Sequence, residues 1–228
     1  MSDLRHDPIN DQWVAIAKNR IQRPMEFVPM EQRRQQLLCP FCKGNEEQTP
    51  AEIALYDQDG MALAEPKAWS VRVVPNKYPS FSSNGDVNQP HPTGPAEICS
   101  SNSRRGAQEL IIPSPRHITS VSELTDAELQ LTFKVAQDRI KHLRATREVK
   151  HAMLFMNCRS AAGASLSHIH LQLVGSPVVS SRLQNRVDRD QAYRKEHGCS
   201  LIESLMNWEI EQSQRCLLYT SPSPRDRG

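Results

Sequence analysis

The segment His168-Ile169-His170-Leu171-Gln172-Leu173-Val174 constrains this chain more than any other. Polar and apolar residues alternate along it, and a strand turns successive side chains to opposite faces. The pattern predicts an extended strand with His168, His170 and Gln172 on one face. Ile169, Leu171 and Leu173 then pack into a core on the other. Two imidazoles and an amide in a row are a poor choice for packing alone and suit a reactive surface. The stretch ahead of them, Ser160-Ala161-Ala162-Gly163-Ala164-Ser165-Leu166-Ser167, is small and rich in hydroxyls. Such a segment lets the backbone approach a ligand closely and offers N–H and O–H donors to a phosphate.

His170 lies at the centre of this constellation. A neutral imidazole nitrogen, with an ordinary pKa of roughly 6.5, is a nucleophile at pH 7. Its attack on the α-phosphorus of a nucleotide forms a P–N bond that breaks readily. A second phosphate can then take the nucleotidyl group, so one difficult displacement becomes two easier ones. Gln172 can donate an amide hydrogen to a non-bridging oxygen as charge develops. Ser165 and the backbone N–H groups of residues 163–165, Gly163 included, suit the same task. Asn157, just ahead of the loop, suits a phosphate or a ribose hydroxyl. The plainer reading is a strand with two surface histidines and no chemistry. Gln172 at the next alternate position and the Gly/Ser loop in front weigh against it.

Cys39-Pro40-Phe41-Cys42 is a C-x-x-C pair whose spacing suits two thiolates on one tetrahedral ion. Alone it reads equally as a redox couple, half a zinc site, or two buried thiols. Two more ligands would be needed, and His117, after a Pro-terminated strand, and His168 are the natural candidates. A closed Cys₂His₂ zinc site would be structural and would fix His168 beside His170. His117 as a plain loop histidine is the competing reading. Cys99, Cys158, Cys199 and Cys216 form no pairing pattern, and His6, His91, His142, His151 and His197 read as solvated. Arg20 and Arg23, in a loop before Pro24, suit a phosphate clamp or, equally, a solvated basic loop.

Strands are predicted at Trp13-Val14-Ala15-Ile16-Ala17, over 69–74 up to Pro75, over 108–112 and over 153–156. Residues 82–106, rich in Ser, Asn, Gly and Pro, read as a long exposed loop. The clearest helix begins at Thr125, where Glu128 completes a capping box. Leu129, Phe133, Ala136, Ile140 and Leu143 recur at steps of four and three and predict its buried face. Residues 183–215 are polar and helix-compatible, with a weak apolar face around Leu201, Ile202, Leu205 and Trp208. Residues 217–228 follow no pattern and read as a non-native or disordered tail.

With 228 residues, 38% of them hydrophobic and 24% charged, the chain can bury one or two cores. A net charge of +2 gives no nucleic-acid stripe. No apolar run is long enough for a bilayer and no signal segment stands at the N-terminus, so a cytoplasmic protein is expected.

Several motifs, in order, resemble one family. They are Arg5-His6-Asp7-Pro8 and Trp13-Val14; Arg20 with Arg23-Pro24; Cys39-Pro40-Phe41-Cys42 with Gly44-Asn45-Glu46; Val74-Pro75-Asn76-Lys77-Tyr78-Pro79; Ser114-Pro115-Arg116-His117; and Asn157 with residues 162–172. The family is that of the galactose-1-phosphate uridylyltransferases, a branch of the histidine-triad superfamily. The resemblance covers roughly residues 4–175. It implies an α+β fold, a histidine-triad-like antiparallel sheet with the helix over 125–144 packed on it and a zinc knuckle. It implies an N-terminal nucleotidyltransferase domain over 1–181. A helical segment over 182–216 would lead toward a second half that the chain does not match.

The implied activity moves UMP from UDP-glucose to galactose 1-phosphate by a ping-pong route. His170 would be the nucleophile, with Gln172 on the transferred phosphoryl group. Zinc would be held by Cys39, Cys42, His117 and His168. Arg20, Arg23, Asn76, Asn157, Gly163 and Ser165 would line the nucleotide site. The implied partners are a nucleotide sugar and a hexose 1-phosphate, with no nucleic acid or membrane, and a homodimer is left open. The family usually has Pro where Ile169 stands, and a small residue where Arg159 stands. Two other readings therefore remain: an ADP-sugar phosphorylase or adenylyltransferase of the same superfamily, and a zinc-stabilised nucleotide-binding module without turnover.

Overall fold

The computed structural model describes residues 2–7, 12–17, 39–66, 68–83, 101, 102 and 105–212. Arg20, Arg23, His91, Cys99, Cys216 and the segment 217–228 lie outside the described residues. Two compact units are present, one ending at Val179 and the other beginning at Ser180.

The first unit carries eight strands among its described residues: β1 (Ser2–Asp7), β2 (Gln12–Ala17), β3 (Ala54–Tyr56), β4 (Val71–Pro75), β5 (Ser101–Asn102), β6 (Ala107–Ile112), β7 (His151–Phe155) and β8 (Leu171–Ser176). They form a three-stranded sheet, β2-β1-β5, and a five-stranded sheet, β3-β4-β6-β8-β7, with every pairing antiparallel. Helix α1 (Asp126–Arg144) packs on the larger sheet. This is the α+β arrangement that the sequence predicts, an antiparallel sheet with one helix against it. The strand predicted from Trp13 onward forms, and it pairs with β1, for which the chain carries little periodic signal. Within the predicted long loop, Ser101 and Asn102 pair with β1, so the polar composition there does not exclude a short strand.

The larger sheet is buried on both faces, and the strand period of two assigns residues to each. Val71, Val73, Ile111 and Leu171 face α1, where they meet Leu131, Val135 and Ala136. Leu173 faces the same way, against Leu143 and Val149. On the opposite face Val74, Leu110 and Ile112 pack against Cys39, Phe41, Leu55 and Trp69. Gln108 and Gln172 share that second face further along β6 and β8.

The helix begins as its sequence dictates. The Thr125 hydroxyl accepts from the Glu128 N–H at 3.2 Å, and the Glu128 carboxylate accepts from the Thr125 N–H at 2.8 Å. Of its predicted buried face, Ala136 and Leu143 are buried, Leu129 and Ile140 are half-buried and Phe133 is 48% exposed, while Leu131, Thr132 and Val135 are buried beside them. Two overlapping apolar stripes compete on this helix. The one carrying Leu131 and Val135 wins, because it also lays Arg139 over Glu109 of β6 in a bidentate pair at 2.7 and 2.8 Å.

The second unit contains helices α2 (Ser181–His197) and α3 (Leu201–Gln212). The helix-compatible stretch over 183–215 forms two helices among its described residues. Gly198 adopts φ +76°, a left-handed conformation that closes α2 and that glycine takes without penalty. Asp190 of α2 accepts from the Leu201 N–H and the Ser200 hydroxyl, each at 2.8 Å, which caps α3. The apolar face expected on α3 is outward: Ile202, Leu205 and Trp208 are all exposed. No helix among the described residues is long and apolar enough to cross a membrane.

Candidate active site and metal centre

Residues 39–45 make a tight knuckle in which the Cys42 N–H donates to the Cys39 carbonyl and the Asn45 side chain donates back to the same carbonyl. Folding brings this knuckle to the segment 114–118 and to residues 167–168. Ligand atoms of Cys39, Cys42, His117 and His168 all lie within 4.8 Å of one another. Cys42 Sγ is 3.3 Å from His117 Nδ1 and 3.6 Å from His168 Nδ1, and Cys39 Sγ is 3.6 Å from His168 Nδ1. A tetrahedral ion with metal–sulfur bonds of about 2.3 Å and metal–nitrogen bonds of about 2.0–2.1 Å sets sulfur and nitrogen roughly 3.5 Å apart. The cluster therefore has the dimensions of a four-ligand metal site.

The outer contacts agree with that reading. His168 Nε2 lies 3.2 Å from the Ser114 carbonyl, which can only accept, so the proton is on Nε2 and the Nδ1 lone pair faces the thiols. Burial, followed by the neighbouring His117 and His170, pushes His168 down to about 3 against the pull of that carbonyl. His168 is therefore a neutral donor at any ordinary pH. His117 Nε2 is 3.1 Å from the Ser167 hydroxyl, which orients the second imidazole.

His168 does not stand on the strand. It lies in a bend, and β8 starts only at Leu171. The predicted strand is thus shorter at its start. All three residues are buried on the side of the knuckle, His168 facing the thiols and His170 and Gln172 lining a cavity. Phe41 of the knuckle packs edge-on to both rings, with centroids 6.0 Å from His168 and 5.1 Å from His170.

His170 Nδ1 lies 3.0 Å from the His168 carbonyl. A carbonyl cannot donate, so Nδ1 bears the proton and Nε2 carries the lone pair. The ring is 6% exposed, yet it lines a cavity of about 580 Å³. Gln172, Ser165 and Asn76 line it too. Asn157 and Gly163 are not among its walls. They lie near one another, Asn157 Nδ2 being 3.6 Å from where a Cβ on Gly163 would stand. Gly163 has φ +80° and Arg159 φ +67°, and the Arg159 carbonyl accepts from the N–H groups of Ala162 and Ala164. The small-residue loop is thus a closed turn that leaves Ser165 at the cavity.

Two residues in this region are absent from the sequence reading. Arg72 is fully buried on β4. Its guanidinium donates to Glu52, the Glu46 and Pro40 carbonyls and the Thr49 hydroxyl, tying the cavity wall at residues 47–50 to the sheet. Gln108 on β6 donates to Gln172. Arg72 interrupts an apolar strand run, Val71-Arg72-Val73-Val74, and that interruption is the signal that marks it; Gln108, followed by Glu109, carries no such signal.

Comparison with known proteins places these features in a wider group. Residues 99–177 match the HIT domain family. The chain is 29% identical over 208 residues to an ADP-glucose phosphorylase of Arabidopsis thaliana, spanning 89% of this chain and 56% of the relative. It is 24% identical over 221 residues to a galactose-1-phosphate uridylyltransferase of Thermotoga maritima, spanning 96% and 60%. A solved uridylyltransferase mutant shares the fold with a TM-score of 0.67 at 19% identity, covering 96% of this chain and 58% of that one. The crystal structure of the Arabidopsis ADP-glucose phosphorylase with bound ADP-glucose matches with a TM-score of 0.56 at 26% identity, covering 87% and 56%. The chain spans less than two thirds of the length of the curated relatives it matches.

Proposed function

We propose that this chain belongs to the galactose-1-phosphate uridylyltransferase branch of the HIT superfamily, and that it transfers a nucleotidyl group between phosphates through a covalent bond to His170. The observation that carries the reading is the bond from His170 Nδ1–H to the His168 carbonyl. It commits the ring to the tautomer whose Nε2 is nucleophilic.

In the first step Nε2 attacks the α-phosphorus of a nucleotide sugar. A P–N bond forms, the bridging P–O bond breaks, and hexose 1-phosphate leaves with the electron pair. In the second step an acceptor phosphate oxygen attacks the same phosphorus and the P–N bond breaks, which restores the neutral imidazole. Gln172 donates to a non-bridging oxygen as charge grows there, and Ser165 offers a second donor from the cavity wall. Asn76, just past the end of β4, holds the nucleotide in this reading. Arg20 and Arg23 complete the nucleotide site, to which Asn157 and Gly163 belong from outside the cavity wall.

The metal is zinc, held by Cys39, Cys42, His117 and His168, because a two-sulfur, two-nitrogen tetrahedral donor set suits that ion. All four positions are protein donors, so zinc supplies structural cross-linking rather than Lewis acidity. So held, the ion would tie the knuckle to His168, whose carbonyl sets the His170 tautomer.

The favoured donor and acceptor are UDP-glucose and galactose 1-phosphate. A second reading, an ADP-glucose phosphorylase in which inorganic phosphate accepts the adenylyl group, draws on the 29% identity to the Arabidopsis enzyme against 24% to the Thermotoga one. Isotope exchange tests both. With labelled glucose 1-phosphate and no second acceptor, label is expected to enter the nucleotide sugar. Entry into UDP-glucose supports the first reading and entry into ADP-glucose the second. Exchange into neither, beside intact nucleotide binding, identifies a binding module without turnover.

A further inference from the structure

Two amides at the cavity wall have a fixed order of oxygen and nitrogen. The Ser80 N–H can only donate, and it lies 2.7 Å from Gln108 Oε1. Gln108 therefore turns its Nε2 the other way, where it donates to Gln172 Oε1 at 3.1 Å. Both side chains are 5% exposed, so neither amide exchanges its bond for bulk water freely. The register explains the pairing. Leu110 stands opposite Gln172, which makes Gln108 its diagonal neighbour on the same face, about 7–8 Å away and within reach of two long amides. The Gln108 backbone is fixed as well, its carbonyl accepting from the Asn76 N–H at 2.8 Å. The Gln172 oxygen is thus tied back, and Nε2 is the end left for the cavity that Gln172 lines with His170.

We propose that Gln108 is a positioning residue, which orders the Gln172 amide so that its NH₂ group, and not its oxygen, meets the phosphoryl group attacked by His170. The inference rests on the nucleotidyl-transfer reading and deepens it. A flipped Gln172 would present a carbonyl oxygen to an anion, replacing an attraction with a repulsion at the point where charge develops. The Ser80 N–H is the anchor of this chain of three, since a backbone donor cannot be inverted.

The order of two variants separates positioning from packing. Gln108→Glu keeps shape and keeps the bond from Ser80, but it turns an acceptor toward Gln172, whose NH₂ then rotates away from the cavity. Gln108→Met keeps the volume and leaves Gln172 free to take either orientation. Single-turnover nucleotidylation, followed by intact mass with UDP-glucose and with ADP-glucose, is expected to slow on the order of 100-fold in Gln108→Glu and about tenfold in Gln108→Met. Nucleotide-sugar binding, read by calorimetry, is expected to change much less than the rate. A Gln108→Glu protein as fast as the wild type, or faster than Gln108→Met, would overturn the proposal. Hydrogen exchange of the side-chain amides in the wild type gives a readout that needs no turnover. The Gln108 NH₂ is expected to exchange more slowly than the Gln172 NH₂, and equal or reversed protection overturns the amide order. A wild type that forms no adduct contradicts the transferase reading, and the exchange pattern then decides the amide order on its own.

Discussion

The five-stranded sheet presents two buried faces, built by different means. Toward α1 the contacts are mainly Val71, Val73, Ile111, Leu131 and Val135, held by apolar area beside the one Arg139–Glu109 pair. Toward the knuckle the same strands add to the apolar Val74, Leu110 and Ile112 three polar side chains, Arg72, Gln108 and Gln172, whose contacts are directional hydrogen bonds. An apolar face tolerates exchange of one hydrophobe for another of similar volume. A face of ordered donors and acceptors does not tolerate even an isosteric change that swaps one for the other. Stability and chemistry are thereby separated across one sheet, about 10 Å thick with its covering layer.

This separation can be broken from either side. The largest effect is expected from Cys39→Ser, because structural zinc sites supply on the order of 10 kcal/mol of binding free energy that is coupled to folding. Metal content should fall from about one equivalent toward none, with melting of the knuckle followed by thermal unfolding. Full metal retention in that variant would refute the four-ligand assignment. On the other face, Ile111→Ala should cost about 2–5 kcal/mol in denaturant unfolding. The folded fraction should still form the nucleotidyl adduct at a near-normal rate. A selective loss of rate there would show that the two faces are coupled.

A smaller and different outcome is expected for Arg72→Met. It removes the guanidinium from the Pro40 carbonyl and the Glu52 carboxylate, at about 1–3 kcal/mol, while the Glu46 carbonyl keeps the Thr49 N–H and hydroxyl. Because it loosens the cavity wall rather than the reacting centre, it should raise KM more than it lowers kcat. The reverse split would place Arg72 nearer the chemistry.

The smallest effect belongs to the helix cap. Burial alone would raise the Glu128 carboxyl, but the Thr125 N–H and the Arg116 guanidinium outweigh it and hold it below its ordinary 4.5. The folded-state value is thus the lower one. The stabilisation is complete above the unfolded value and disappears as pH falls through the folded value. Glu128→Ala should therefore cost about 1 kcal/mol at neutral pH and nothing in strong acid. A cost that persists in strong acid would assign the effect to packing.

What could be read from the chain follows the same division. The capping box at Thr125 and the strands around Ile111 and Leu173 were legible because local period and local hydrogen bonding determine them. The buried face of α1 was legible at Ala136, Ile140 and Leu143 but extended wrongly to Phe133, because two stripes on one helix differ only in what the sheet offers opposite, here Glu109 for Arg139. The knuckle and its two histidines were legible as residue types. The start of the strand was not, since His168 lies in a bend ahead of β8, where its contacts are the two thiols and the Ser114 carbonyl. Gln108 escaped notice because its role depends on the Ser80 N–H, 28 residues away along the chain.

The central claim is that a neutral His170, oriented by the His168 carbonyl, takes the nucleotidyl group. Rapid mixing of the metal-loaded protein with UDP-glucose or ADP-glucose, quenched under base and read by intact mass, tests it most directly. The account predicts one nucleotidyl adduct per chain with one of the two sugars, absent in His170→Gly and discharged by added acceptor phosphate. No adduct with either sugar, or an adduct that survives in His170→Gly, would contradict it.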